Sequence, residues 1–194
     1  MVEHTSYIYQ GFFHVLDLKA LDHVLFFIAL TVIFTFNDWK KALLLITFFT
    51  IGHTLTFGLS VFDFIFVKSK IVEFLIPITI LTPLVINIYN SFKKKTHSNT
   101  NIYFAFFFGL IHGLGFSSYF LMRIDDSEAK LFPILKFALG IEFAQIIVVL
   151  AILSLAYFFQ DILKIKKRNW ILITSMILLV FIIPMIIERG TNLY

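Results

Sequence analysis

Asp22 and His23 open one long apolar stretch, His53 and His112 lie inside two others, and Glu142 lies inside a fourth. A charged side chain in hydrocarbon costs on the order of 2.5–3.5 kcal/mol on insertion scales, and ionisable groups in such places usually mark function. Imidazole nitrogen and carboxylate oxygen together suit borderline divalent metals such as nickel, zinc, cobalt and copper. They suit calcium poorly, because that ion prefers cages made only of oxygen. His14, just upstream of Asp22, supplies a fourth imidazole. The chain has no cysteine, which excludes thiolate metal sites, disulfides and iron–sulfur clusters.

Positioning these groups falls to six apolar segments, at 21–36, 39–62, 71–89, 102–122, 131–159 and 170–187. A bilayer core needs about 20 residues of helix. The expected fold is therefore all-α: a polytopic membrane helix bundle of about six transmembrane helices, forming one domain over 1–194. The aromatic stretch Tyr7 to Leu18 is expected to be an N-terminal interfacial segment or an extension of the first helix. Of the 194 residues 59% are hydrophobic and 14% charged, against nearer half and a quarter in soluble domains. The formal charge of +4 is no nucleic-acid signal, since the lysines sit in short connections between apolar runs. The first twenty residues lack the basic and apolar regions of a cleavable signal peptide.

Basic residues orient the chain. The connections after the first, third and fifth segments hold nine lysines and arginines, including Lys40, Lys93 and Arg168, while the opposite side holds six. That excess places those connections inside and both termini outside. On this threading His53 lies nine residues before the outer end of its segment, roughly 13 Å deep at ~1.5 Å per residue. His112 and Glu142 fall at similar depth, while Asp22, His23 and Glu73 open their helices from the outer face. The spacing brings the polar groups to one level, whichever way the protein faces.

Each residue also has a plainer reading. Asp22 can cap a helix N-terminus as well as ligate or orient a ligating imidazole. His53, in Gly52-His53-Thr54, and His112, in Gly109-Leu110-Ile111-His112-Gly113, can be packing histidines where glycines let helices approach. Glu142 and Gln145 share a helix face. Thr54 and Gln145 are candidates for a supporting shell, and Glu73 and Asn87 for the shell or a pathway.

Five motifs in order are similar to those of the HupE/UreJ family of small bacterial membrane proteins. They are Gly11-Phe12-Phe13-His14 leading to Leu21-Asp22-His23, Phe49 to Thr56, Val72-Glu73 with Asn87, Gly109 to Phe116, and Gly140-Ile141-Glu142-Phe143-Ala144-Gln145. The resemblance implies a nickel or cobalt permease of the hydrogenase and urease accessory type, in the bacterial inner membrane, serving metalloenzyme-maturation partners. It implies metal binding by His14, Asp22, His23, His53, His112 and Glu142. The expected function is binding and transport of a divalent ion (nickel, zinc or cobalt). The alternative is an intramembrane zinc-type hydrolase acting on a lipid or lipoprotein at the outer leaflet, with Asp22 or Glu142 as general base. A haem held by His53 and His112 is a third reading.

Overall fold

The computed structural model describes residues 6–17, 21–93, 102–115 and 129–193, and among these every regular element is helical. In chain order they are α1 (Tyr7–Val15), α2 (Asp22–Thr31), a 3-10 turn (Phe36–Asp38), α3 (Trp39–Val61), α4 (Ser69–Phe92) and α5 (Ile102–Gly113). α6 (Leu131–Tyr157) then continues through a π-helical turn (Phe158–Ile162), and α7 (Lys167–Thr191) follows.

Among the described residues, four helical stretches are long and apolar enough to cross a bilayer: Phe36–Val61, Ser69–Phe92, Leu131–Ile162 and Lys167–Thr191. The shortest of them has 24 residues, about 36 Å at ~1.5 Å per residue, against a hydrocarbon core of about 30 Å. Their outer faces carry exposed Phe143, Ile147, Ile177 and Phe181. Water tolerates no such continuous apolar surface on a monomer, whereas lipid does. The chain is an integral membrane protein.

The first expected segment appears in a different form, as the shorter apolar helix α2, and the described part of the fourth forms the apolar helix α5. α2 has 10 residues, a rise of about 15 Å. It ends where Asn87 on α4 donates Nδ2–H to the Ala29 carbonyl at 2.9 Å, satisfying an acceptor in the last helical turn. Val32, Ile33 and Phe34 then continue as buried chain, which non-helical backbone tolerates only when protein surrounds it. A capping box resets the chain, with the Thr35 hydroxyl donating to Asp38 Oδ2 at 2.9 Å. Residues 116–122 of the fourth expected segment lie outside the described residues, as do His4, His97, Lys94 and Lys95.

Glycine decides which helices touch. A Cβ on Gly52 would be driven into the Phe106 carbonyl, one on Gly109 into the Phe49 carbonyl, and one on Gly113 into the His53 carbonyl. α3 and α5 thus meet backbone to backbone, the geometry small residues permit in membranes. The Thr56 hydroxyl crosses this seam to the Leu110 carbonyl at 2.7 Å. Gly11 and Gly140 do the same for α1 and α6, a Cβ on either clashing with Phe137 or Ile8 carbonyl oxygen. Gly58, by contrast, has open space where a Cβ would go, so it takes no part in the seam.

A large side chain at the seam must therefore push the paired backbones away from each other. Gly109→Leu is expected to cost at least ~3 kcal/mol, the upper end of overpacking penalties. Gly58→Ala should be neutral or stabilising by up to ~1 kcal/mol, the ordinary helix-propensity gain. Thermal midpoints of the two variants in one detergent check both values.

Candidate metal centre

The close seams carry histidines with them. His14 ends α1, His23 stands in the first turn of α2, and His53 is one residue from the Gly52 contact on α3. One ring nitrogen from each of these three lies within 4.8 Å of the other two. Ring centroids are 4.7 Å apart for His14 and His23, 5.9 Å for His23 and His53, and 6.1 Å for His14 and His53. His53 is wholly buried, and neither of its ring nitrogens has a hydrogen-bond partner, nor has His23 Nε2. Buried polar atoms are almost always satisfied. Orphaned nitrogens converging from different helices fit a ligand that protein atoms do not supply. Zinc binds imidazole at ~2.0–2.1 Å, so a small inward rotation of the rings would close such a site.

His112 on α5 stands beside this group, 5.4 Å from His23 between ring centroids. Its Nε2 lies 3.0 Å from the Thr79 hydroxyl on α4. That hydroxyl donates its one proton to the Ile76 carbonyl at 2.6 Å, so the Thr79–His112 contact requires Nε2–H to be the donor. Nδ1 is then the bare acceptor, and it is buried with no hydrogen-bond partner. An outer hydrogen bond that selects the tautomer is how metal-binding imidazoles are commonly oriented.

Apolar rings wrap the histidines. Phe49 and Phe26 lie 5.2 and 5.3 Å from His112, Phe137 lies 5.6 Å from His14, and Phe57 lies 6.1 Å from His53. Phe26, Phe49, Phe57 and Phe137 are fully buried. A dry wall of this kind keeps water from competing for the ligand and lowers the local dielectric.

The acids have hydrogen-bond partners of their own. Both Asp22 oxygens accept from Arg189 Nη2, at 3.0 and 3.2 Å, joining the start of α2 to the end of α7. Arg189 Nη1 also donates to the Glu73 carbonyl at 3.0 Å. Pro77, four residues on, has no N–H for that carbonyl. Arg189 thus satisfies an acceptor that proline leaves open, while the Glu73 side chain is in an exposed position. Glu142 on α6 accepts from the Thr47 hydroxyl at 2.6 Å and from that of Thr50, both on α3. Thr50 also lies 3.0 Å from Gln145 Oε1. The Thr54 hydroxyl is buried with no hydrogen-bond partner, and Asn87 is engaged at α2 as described.

The fold brings His14, His23, His53 and His112 together, while Asp22 pairs with Arg189 and Glu142 with Thr47 and Thr50. Arg189, Thr79 and Thr47 escaped notice as site residues. A basic residue at a helix end reads as a topology signal, and membrane threonines satisfy themselves on their own helix. Only the phase of Pro77 against Arg189 offered a hint, and it needs the fold to be seen.

A helical membrane bundle that gathers four neighbouring imidazoles among aromatic rings has the donor chemistry of a transition-metal-handling membrane protein. The chain matches the family model described as HupE / UreJ protein over residues 1–189, and it belongs to that family. No curated protein and no solved structure gives a match.

Two variants examine this arrangement. Thr79→Val removes the partner of His112 Nε2 and should weaken transition-metal affinity about 10–100-fold, read by calorimetry on purified protein. Arg189→Gln strands the largely buried Asp22 carboxylate and should cost about 1–3 kcal/mol, less than a fully buried pair because the guanidinium keeps some exposure. Adding Asp22→Asn should restore some of that loss, and a double-mutant cycle measures it.

Proposed function

We propose that the protein binds a divalent transition metal, nickel in the first instance, on its histidine cluster and passes it across the bacterial inner membrane. The carrying observation is the convergence of His14, His23 and His53, from three helices, with buried nitrogens that protein groups leave unsatisfied at His23 and His53. Family membership and the all-nitrogen donor set agree with this reading, and imidazole alone selects nickel no more than zinc or cobalt. The ion is cargo here. The chain's role is to capture it between α1, α2, α3 and α5, to keep water out with phenylalanine, and to hold His112 through Thr79.

Hydrolysis fits less well. That reading casts Asp22 or Glu142 as general base to a metal-bound water. Asp22 is taken by Arg189, and Glu142 by Thr47 and Thr50.

The protein is read as one membrane domain with both termini outside, so the cluster opens toward the outer leaflet and the Lys40, Lys93 and Arg168 connections face the cytoplasm. The ends of α2, α4 and α7 joined by Arg189 lie on the same side in that orientation. Metalloenzyme-maturation proteins would receive the ion.

Uptake of nickel into sealed proteoliposomes is the test. Wild-type protein should accumulate the ion, while His23→Ala and His53→Ala should reduce uptake at least ~10-fold, the scale on which ligand shells act. Acidifying the medium should release bound metal, because protons compete for imidazole nitrogen. Equal flux in wild type, variants and empty vesicles would refute transport.

A further inference from the structure

We infer that the connection between α6 and α7 binds an anionic phospholipid, gripping its headgroup phosphate through Lys164, Lys166, Lys167 and Arg168. These four cations fall within five residues, and between Phe158 and Trp170 they are set against one acid, Asp161. All four are exposed. Among the described residues none of them has an ion-pair or aromatic partner. Lysines at the start of α3 and the end of α4 are engaged instead. Lys41 meets Asp38 at 3.3 Å, while Lys40 lies over the Trp39 ring at 5.5 Å and Lys93 over the Tyr89 ring at 4.7 Å.

These positions are poor choices for the fold alone. The π-helical turn closes with Leu163 N–H on the Phe158 carbonyl at 3.0 Å and Ile165 N–H on the Phe159 carbonyl at 2.9 Å. Lys164 is thereby held left-handed, at φ 57°, in the helix-end position that glycine usually takes because a side chain strains it. α7 then begins with Lys166 at its N-cap, which makes no side-chain cap hydrogen bond, followed by Lys167 and Arg168 in its first turn. Cations at a helix N-terminus oppose the macrodipole. Membrane topology asks only that basic residues lie somewhere in this connection. It does not ask for one in a left-handed position or for others at the positive end of a helix. A bound anion offsets both the crowded like charges and the dipole.

The surroundings identify the anion. Phe158, Ile162, Leu163 and Ile173 flank the cations and are exposed. Acyl chains can lie along these residues while the phosphate meets the lysines and the arginine, and clusters of basic residues beside a membrane helix attract anionic lipid in this way. A soluble phosphate would use the charge and leave the apolar flank bare. Phe159 stacks on Trp170, with ring centroids 5.1 Å apart and 23° between planes, so the turn and the start of α7 are fixed against each other. In the orientation proposed above, the site meets the cytoplasmic leaflet, whose surface is negative. It stands whether or not the histidines hold a metal.

The experiment follows lipid binding, not transport. Purified protein in an uncharged detergent is titrated with phosphatidylglycerol, phosphatidylcholine or inorganic phosphate, with bound lipid counted by native mass spectrometry and Tm followed in parallel. Saturable retention of phosphatidylglycerol and a rise in Tm with that lipid alone are expected. Lys164→Gly should weaken phosphatidylglycerol binding about fivefold, the scale of one basic residue at a membrane surface. Its Tm without lipid should equal or exceed that of wild type, because glycine relieves the left-handed strain. That variant therefore separates a binding role from a structural one. Replacing Lys166, Lys167 and Arg168 together by Gln should weaken binding about 100-fold, while Lys40→Gln with Lys93→Gln stays within about twofold of wild type. Equal retention of the two lipids, a Tm rise reproduced by inorganic phosphate, or an equal loss in the Lys40 and Lys93 control would each overturn the inference.

Discussion

Backbone-to-backbone contact at glycine is the constraint from which the rest of the molecule follows. Lipid supplies little hydrophobic drive for one helix to prefer another, so association depends on how closely the backbones can come. Gly52, Gly109 and Gly113 bring α3 and α5 into contact, and Gly11 with Gly140 does so for α1 and α6. Each seam lies within a few residues of a histidine. Side chains of ordinary size there would separate the helices, and imidazoles that now lie side by side would each need a partner of their own.

Such burial has a cost, and the structure offsets it unevenly. Polar backbone is repaired with care: Arg189 covers the Glu73 carbonyl that Pro77 cannot serve, and Asn87 covers Ala29 at the end of α2. The imidazoles are treated differently. Nitrogens of His23 and His53 stay without protein partners in a wall of phenylalanine. Other buried polar atoms such as Thr54 Oγ1 and Ser175 Oγ are bare too, but the imidazole nitrogens converge from separate helices. That convergence supports metal capture more strongly than the mere presence of histidine.

The polar groups also divide by chemistry along the bundle. An ion pair, Asp22 with Arg189, ties α2 to α7 at one end. Imidazoles follow in the interior, and an oxygen cluster around Glu142 lies further along α3. Soft-to-borderline donors and hard donors therefore occupy different levels.

Much of this was legible in the chain of letters. Length and apolarity of the segments implied membrane helices, because hydrocarbon admits few alternatives. Helical rise alone put His23, His53 and His112 at related depths, and glycine beside histidine implied close packing. Rotation about each helix axis was not legible, and it decides which polar group meets which. Equal depth made Asp22 and Glu142 look like companions of the imidazoles; the turn of α2 gives Asp22 to Arg189, and the turn of α6 gives Glu142 to two threonines. Nor could composition show that α2 stops after ten residues, since Asn87, far along the chain, provides the bond that ends it. Depth is a one-dimensional property that sequence carries, whereas partnership depends on azimuth and on distant residues, and only the packed bundle sets those.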